Sequence, residues 1–225
     1  MATLTFHSMA DSAYLWTAML AADEKGVDYD LTPLVLGSEE HLRLHPFGKM
    51  PVLQHGAVFL YETTALTHYI DRAFEGPPLQ PDDALSQAQV LRWVSIVNAY
   101  VFPVMNRFVK ERIVRPAWGF DCDQAFLASA GEPLGKQMRL IDEAVSAGGY
   151  LVADRPTLAD CFLLPHLLFF GHTLEGRSLL EQFPRVQSWL SRMTDRPSYA
   201  GSAMRQAYEA FHELPPGAGA VWAAA

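Results

Sequence analysis

The feature that most constrains this chain is a change of hydrophobic pattern near residue 80. Before it, short β-type runs such as Thr3–Phe6 alternate with stretches of helical spacing such as Tyr14–Ala22. After it, the apolar periodicity is helical. The segment between, EGPPLQPDD (residues 75–83), is rich in proline and acid, as linkers are. The sequence therefore predicts an α/β domain joined to an all-α domain.

The first eighty residues predict the order β-α-β-α-β-β-α. Pro33 in the second strand favours an edge position, because proline cannot donate to a neighbouring strand. The pair His55-Gly56 between two apolar runs predicts a tight hairpin with glycine second. A short helix, SEEHLRL, is expected to end before Pro46.

The second half predicts five helical stretches, with Pro103 kinking or dividing the first of them. These stretches are 85–112, 124–147, 158–170, 186–193 and 204–211. The predicted organisation is a domain over 1–76, a linker over 77–84, a helical domain over 85–214 and a tail over 215–225.

Composition excludes several classes of function. The net charge of −8, without a basic stripe, argues against nucleic acid as a partner. No apolar run is long enough to cross a bilayer, and the first residues lack a signal-peptide pattern. The two cysteines, Cys122 and Cys161, form no disulfide framework. We therefore expect a cytoplasmic protein that binds neither nucleic acid nor membranes.

Four motifs occur in the order found in one family. They are HPFGKMPVL (45–53), HGAVFLYETTALTHYI (55–70), YLVADRPTLADCFLLP (150–165) and RVQSWLSRMTDRPSY (185–199). Together they resemble the cytosolic glutathione S-transferase family over nearly the whole chain, in particular its Ser-type, phi- or theta-like bacterial or fungal members. The resemblance implies a thioredoxin-like N-terminal domain, a C-terminal helical bundle, glutathione as co-substrate and a homodimer.

The resemblance also implies how glutathione is bound. Pro51 would be cis, so that Met50 pairs with the cysteinyl portion as an added strand would. Thr63 would donate to the γ-glutamyl carboxylate and Glu62 would accept from its ammonium group. Physical chemistry agrees, because free N–H groups and the helix dipole attract a carboxylate to a helix start.

The glycyl end of glutathione is less clearly marked in the sequence. Lys49 is a candidate for the main chain or the glycyl carboxylate. The histidine that serves this carboxylate in Ser-type members falls at Leu36, and we expect nearby His41 to substitute for it.

The resemblance places the thiol-activating group at the start of the first helix, at Ser12. A free thiol is mostly protonated at neutral pH and only the thiolate is a good nucleophile, so a hydroxyl donor there would stabilise it. Ser8 and Tyr14 stay open as alternatives. The arginine that usually follows the serine by five residues is Thr17 here.

Candidates for an electrophile pocket between the domains are aromatic, with one arginine. An apolar pocket beside a polar peptide site suits a hydrophobic electrophile. The candidates are Tyr14, Phe108, Arg112 and Trp118.

Two further patterns are interpreted as structural. Thr157 and Asp160 have the spacing of a capping box. His166 and His172 lie six residues apart and do not share a helical face, so no metal is predicted.

The favoured function is conjugation of glutathione to an apolar electrophile. Two alternatives stay open: a glutathione-binding regulatory module without turnover, or a glutathione-dependent isomerase, peroxidase or ether-cleaving enzyme.

Overall fold

A computed structural model describes residues 3–117 and 119–213. It contains a four-stranded sheet with three helices in the N-terminal half, followed by helices only. This arrangement confirms the predicted fold class, a thioredoxin-like α/β domain followed by an all-α domain. The predicted domain boundaries stay a prediction, and the predicted tail over 215–225 lies outside the described residues.

The sheet has the strand order β2-β1-β3-β4. β1 pairs in parallel with β2 and antiparallel with β3, and β3 and β4 form an antiparallel hairpin. Pro33 ends the edge strand β2, as predicted. The strands are β1 (Leu4–Ser8), β2 (Tyr29–Pro33), β3 (Val52–His55) and β4 (Val58–Tyr61).

The hairpin turn differs by one residue from the prediction. The register pairs His55 with Val58, so the two turn residues are Gly56 and Ala57, with glycine first rather than second. Gly56 has φ of 60°, and Ala57 does not have a positive φ. A positive φ at the first position alone is typical of a type II′ turn, which suits the strand twist equally well.

Three helices cover the sheet. The first begins after Ser12, whose side chain caps it, and ends at Gly26, whose φ of 68° suits a residue without a Cβ. They are α1 (Ala13–Lys25), α2 (Glu39–Leu44) and α3 (Thr63–Ala73).

The helical half begins with a long, nearly continuous helical rod. Its five consecutive pieces are α4 (Ala84–Ile96), a π-helical segment (Val97–Val101), α5 (Phe102–Val109), a second π-helical segment (Lys110–Val114) and α6 (Arg115–Ala117). Pro103 does not divide the rod. Because its ring has no N–H and would crowd the carbonyl of Ala99, the wider π turn before it accommodates the proline.

Within the described residues, seven shorter helices follow the rod. The stretch predicted over 124–147 is broken at Ala130 into two helices. The seven are α7 (Gln124–Ser129), α8 (Gly131–Gly148), α9 (Leu158–Gly171), α10 (Leu174–Leu180), α11 (Pro184–Thr194), α12 (Pro197–Ala200) and α13 (Ala203–Glu213).

Helix α1 belongs to both halves of the molecule. It packs on α3 within the first domain and on α9 of the second. The ring of Trp16 stacks on Phe169 with 4.3 Å between ring centroids. Near the other end of α1, Arg196 donates two hydrogen bonds to the carboxylate of Glu24, at 2.5 and 2.7 Å. The position of α1 is thereby fixed by both domains.

The start of α9 is the capping box predicted from Thr157 and Asp160. Asp160 is fully buried and accepts hydrogen bonds from the backbone of Leu151 and Thr157, the Thr157 hydroxyl and the Trp189 indole. Four donors on one carboxylate tie α9 to α11 and to the loop before α9, which makes its role structural.

We expect Asp160→Ala to lower the free energy of unfolding by roughly 3–5 kcal/mol, because it leaves several buried donors without an acceptor. Urea denaturation measures this loss. Asp83→Ala removes an exposed N-cap at the start of α4 and is the matched control, with a smaller expected loss. Equal losses for the two variants would contradict the structural role of Asp160.

Candidate active site

Three chain segments meet beside the N-terminus of α1: the loop after β1, the loop before β3 and the start of α3. Met9 joins two of them. Its N–H lies 3.4 Å from the sulfur of Met50, and its carbonyl accepts from the N–H of Ser12 at 3.3 Å. The predicted catalytic residue and the residue before Pro51 are therefore held in one site.

Ser12 is the N-cap of α1 and is half-buried. Its hydroxyl oxygen accepts from the N–H of Leu15 at 3.3 Å. A hydroxyl that accepts in this way still has its own proton to donate. The N–H groups of Ala13 and Tyr14, in the first turn, have no carbonyl partner within the helix. Together these donors form a site suited to a negatively charged atom.

The alternative hydroxyls are engaged elsewhere. The Ser8 hydroxyl, on a buried residue, donates to the carbonyl of Met9 at 3.1 Å. The Tyr14 hydroxyl donates to Asn98 at 3.0 Å. Burial, reinforced by the charge of Glu62, raises the pKa of Tyr14, so its hydroxyl stays protonated at neutral pH. Of the three candidate hydroxyls, Ser12 is therefore the one whose proton remains free to donate to a ligand.

Thr17, which stands where an arginine was expected, lies in the core. It is fully buried, and its hydroxyl donates to the carbonyl of Ala13 one turn earlier. A charged side chain at this position would be enclosed by the two domains, so the local packing accounts for the smaller residue.

The peptide bond between Met50 and Pro51 is cis, as the resemblance implied. Pro51 is buried, while Lys49 before it is exposed. The backbone of this loop is held by His41, whose Nε2 lies 3.0 Å from the carbonyl of Lys49.

His41 does not occupy the position expected of a carboxylate ligand. It is fully buried, and its Nδ1 accepts from the N–H of Gly37 at 3.0 Å, so Nε2 carries the proton that goes to Lys49. Both ring nitrogens are thus used within the protein. The expectation that His41 binds the glycyl carboxylate is corrected: it braces the loop instead. Leu36 is exposed and nonpolar, so it offers no charge to a carboxylate, and Lys49 is the Lys or Arg residue within HPFGKMPVL.

Glu62 has a φ of 72°, a backbone conformation that residues other than glycine rarely adopt. It is the N-cap of α3 but its side chain makes no capping hydrogen bond and is 64% exposed. Strained residues of this kind cluster at ligand sites. Thr63, buried behind it, begins the helix, so this uncapped helix start is open to an anionic group.

His45 is a site neighbour that the sequence reasoning missed. It is buried with its ring 4.8 Å from that of Tyr61, and its Nε2 lies 3.9 Å from Glu62. Burial lowers the pKa of His45 despite the adjacent Glu62 carboxylate, so the ring is neutral at neutral pH. The signal was present, because His45 opens the HPFGKMPVL motif.

The predicted electrophile pocket is brought together only in part. Tyr14 reaches the space between the domains, with its ring 4.7 Å from Phe102 and 5.1 Å from His166. Phe108 is 1% exposed within the helical core, so it lines no open pocket in this structure. Arg112 is paired with Glu175. Trp118 lies outside the described residues.

None of the helices in ranges 3–117 and 119–213 is long and apolar enough to cross a membrane. Within the same ranges, His, Cys, Asp and Glu side chains form no group of three or more that could hold a metal ion.

Comparison with known proteins identifies two matching domain families. Residues 6–78 match the glutathione S-transferase N-terminal domain, and residues 93–197 match the glutathione S-transferase C-terminal domain. Glutathione S-transferase 4 of Zea mays is 30% identical over 222 residues, which covers 95% of this chain and 94% of the relative. A glutathione S-transferase of Hyoscyamus muticus is 26% identical over 204 residues, covering 88% and 96% of the two chains.

Solved structures agree in fold. Glutathione S-transferase III in apo form superposes with a TM-score of 0.83 at 28% identity, covering 96% of this chain and 99% of its own. Glutathione S-transferase I from mais, in complex with an atrazine glutathione conjugate, superposes with a TM-score of 0.83 at 25% identity, covering 95% and 100%.

Proposed function

The chain belongs to the glutathione S-transferase family, and from this premise we propose that it conjugates glutathione to an apolar electrophile with the Ser12 hydroxyl stabilising the thiolate. The observation that carries the proposal is the junction at Met9, which holds the free hydroxyl donor of Ser12 beside the Met50–Pro51 loop. We further propose a Ser-type, phi- or theta-like member with a cytoplasmic location. A bacterial or fungal source stays a prediction.

The proposed chemistry begins with the thiol of glutathione at the N-terminus of α1. The thiol loses its proton to solvent, and the Ser12 hydroxyl donates to the resulting thiolate, with the first-turn N–H groups adding positive potential. The thiolate then attacks an electrophile held beside Tyr14 and Phe102, forming a carbon–sulfur bond as the leaving group departs or as a double bond is saturated. The aromatic side of the cleft favours an apolar electrophile.

We assign the peptide contacts to the other two segments. Met50 pairs with the cysteinyl backbone, and Lys49 binds the glycyl carboxylate. The start of α3 binds the γ-glutamyl group: its carboxylate meets the open helix N-terminus and the Thr63 hydroxyl, and its ammonium meets Glu62. The exposed Glu62 supports this assignment, because it keeps a positive φ without a capping hydrogen bond to the helix.

We expect Ser12→Ala to lower turnover about 10- to 1,000-fold, because the thiolate loses its hydroxyl donor, while glutathione affinity stays nearly unchanged. Thiol consumption with an aryl halide and calorimetry with glutathione measure the two quantities. Ser12→Gly is the companion variant, since glycine preserves most of the N-cap stability and also lacks the hydroxyl.

Ser8→Ala tests the rival hydroxyl, and we expect a nearly wild-type rate because that hydroxyl already donates to Met9. An unchanged rate in both Ser12 variants would reject Ser12. Glutathione binding by the wild type without any thiol consumption would instead favour the regulatory module.

Two replacements of Glu62 separate its effect on glutathione affinity from its effect on protein stability. Both Glu62→Ala and Glu62→Gly should weaken glutathione binding about tenfold or more, because a charged ligand group loses its partner. Glycine adopts a positive φ without strain and alanine does not, so the glycine variant should be more stable than the alanine variant by about 1 kcal/mol. Calorimetry and urea denaturation measure the two effects. Unaltered affinity in both variants would show that the γ-glutamyl group binds elsewhere.

We also propose that the protein is a two-fold homodimer, with the partner across α3 and the long helical rod that begins with α4. An apolar cavity of about 440 Å³ lies at this face, and exposed residues of both elements, Ala65, His68 and Leu91, border it. Closed two-fold pairs are the commonest soluble assemblies, and an interface of standard size would bury about 1,200–2,000 Å².

Light scattering at micromolar concentration should therefore give twice the chain mass of 25.0 kDa. Leu91→Glu places a charge in the proposed interface and should yield monomers. Leu140→Glu changes a similarly exposed leucine on α8 and should leave the dimer intact. A wild-type mass of one chain that persists as concentration rises would contradict the dimer.

A further inference from the structure

One side chain of the helical domain joins the two ends of the proposed glutathione site. Asn98 lies in the π-helical segment Val97–Val101 and is half-buried. Its Oδ1 accepts from the Tyr14 hydroxyl at 3.0 Å, and its Nδ2 donates to the Thr64 hydroxyl at 3.4 Å. Tyr14 is two residues after Ser12, and Thr64 directly follows Thr63. The amide thus contacts the first turns of both α1 and α3.

Helices α1 and α3 pack on each other within the first domain, and Asn98 adds a polar link between their N-terminal turns. A ligand bound at its thiol end by α1 and at its γ-glutamyl end by α3 requires the distance between these turns to match its own length. Asn98 contacts both helices through one amide: its oxygen accepts from Tyr14, and one of its two N–H groups donates to Thr64. Interactions that hold reacting groups within a few tenths of an ångström are what precise positioning requires.

The surroundings make this link rigid. The Tyr14 ring packs against both Phe102 and His166, at 4.7 and 5.1 Å between centroids, and these two rings lie 5.2 Å from each other, so the packing of this three-ring cluster restrains Tyr14. His166 is buried, and burial lowers its pKa to about 3, so it adds no charge at neutral pH. The backbone of Asn98 belongs to the π turn that precedes Pro103, and such turns occur frequently at functional sites.

We propose that Asn98 is a positioning residue that holds both the γ-glutamyl-binding turn of α3 and the thiol-activating turn of α1 in place. It acts through Tyr14 and Thr64 and touches neither the sulfur nor the electrophile. The inference rests on the proposed glutathione site and adds to it a link supplied by the helical domain.

Three variants separate the two arms of the link. Tyr14→Phe removes the hydroxyl that Asn98 accepts from and keeps the ring, so it should lower the thiolate fraction of bound glutathione and leave affinity nearly unchanged. Thr64→Val removes the hydroxyl that Asn98 donates to, so it should weaken affinity and leave the thiolate fraction nearly unchanged. Asn98→Leu, of similar shape, cuts both arms and should change both quantities.

The changes should be about two- to tenfold each, the range for one net hydrogen bond. Calorimetry with glutathione gives the affinity, and the ultraviolet absorbance of bound thiolate at neutral pH gives the thiolate fraction. Ser95→Ala is the control, because it removes an exposed hydroxyl from the preceding turn of the same rod and should change neither quantity. Asn98→Ala replaces Asn98→Leu if the leucine variant does not fold.

The outcomes discriminate the link from a purely structural amide. The proposal is supported if Asn98→Leu changes both quantities, while Tyr14→Phe changes only the thiolate fraction and Thr64→Val changes only the affinity. A change in thermal stability alone, or a change in only one quantity for Asn98→Leu, overturns it. A wild type that binds no glutathione would instead refute the proposed function itself, which is a different result from any of these.

Discussion

The site depends on the double burial of helix α1. Residues Leu15 to Ala22 of this helix are buried on all faces, because α3 covers one side and α9 the other. Burying apolar surface stabilises a fold by about 25 cal/mol per Å², so this burial contributes strongly to holding the helix in place. The stacking of Trp16 on Phe169 and the pairing of Glu24 with Arg196 act at opposite ends of the same helix. Ser12 and Tyr14 at the N-terminus are therefore presented to the cleft by both domains together.

Around this fixed helix end, the protein keeps several groups in arrangements that do not favour the fold itself. Glu62 adopts a positive φ without capping α3, and His45 is buried without charge beside it. His41, in contrast, is fully engaged: Nε2 donates to the Lys49 carbonyl in the loop before Pro51, and Nδ1 accepts from the N–H of Gly37 before α2. Stability is thus concentrated in α1, in the His41 brace and in the Asp160 cap, while the ligand-facing residues are left with unused donors and acceptors. This division is typical of binding sites.

The sequence predicted what local chemistry determines. Hydrophobic period, proline positions and capping residues yielded the two-part fold, the edge position of Pro33 and the capping box at Asp160. Where several segments compete for one side chain, the sequence was insufficient. His41 was interpreted as a ligand because nothing local shows that Gly37 and Lys49 use both its nitrogens. Phe108 and Arg112 carry the chemistry of a pocket, but tertiary packing places one in the core and pairs the other with Glu175. The link through Asn98 spans residues 14, 64 and 98, a separation that no periodicity reveals.

The central claim is that glutathione is bound jointly by the N-termini of α1 and α3 and by the Met50–Pro51 loop, with its sulfur at Ser12. A crystal structure of the protein with bound glutathione tests it most directly. The account predicts the sulfur within about 3.5 Å of the Ser12 hydroxyl oxygen, the cysteinyl backbone paired with Met50 and the γ-glutamyl carboxylate at the start of α3. Glutathione bound in another place, or in this cleft with its sulfur beyond hydrogen-bonding reach of Ser12, would contradict it.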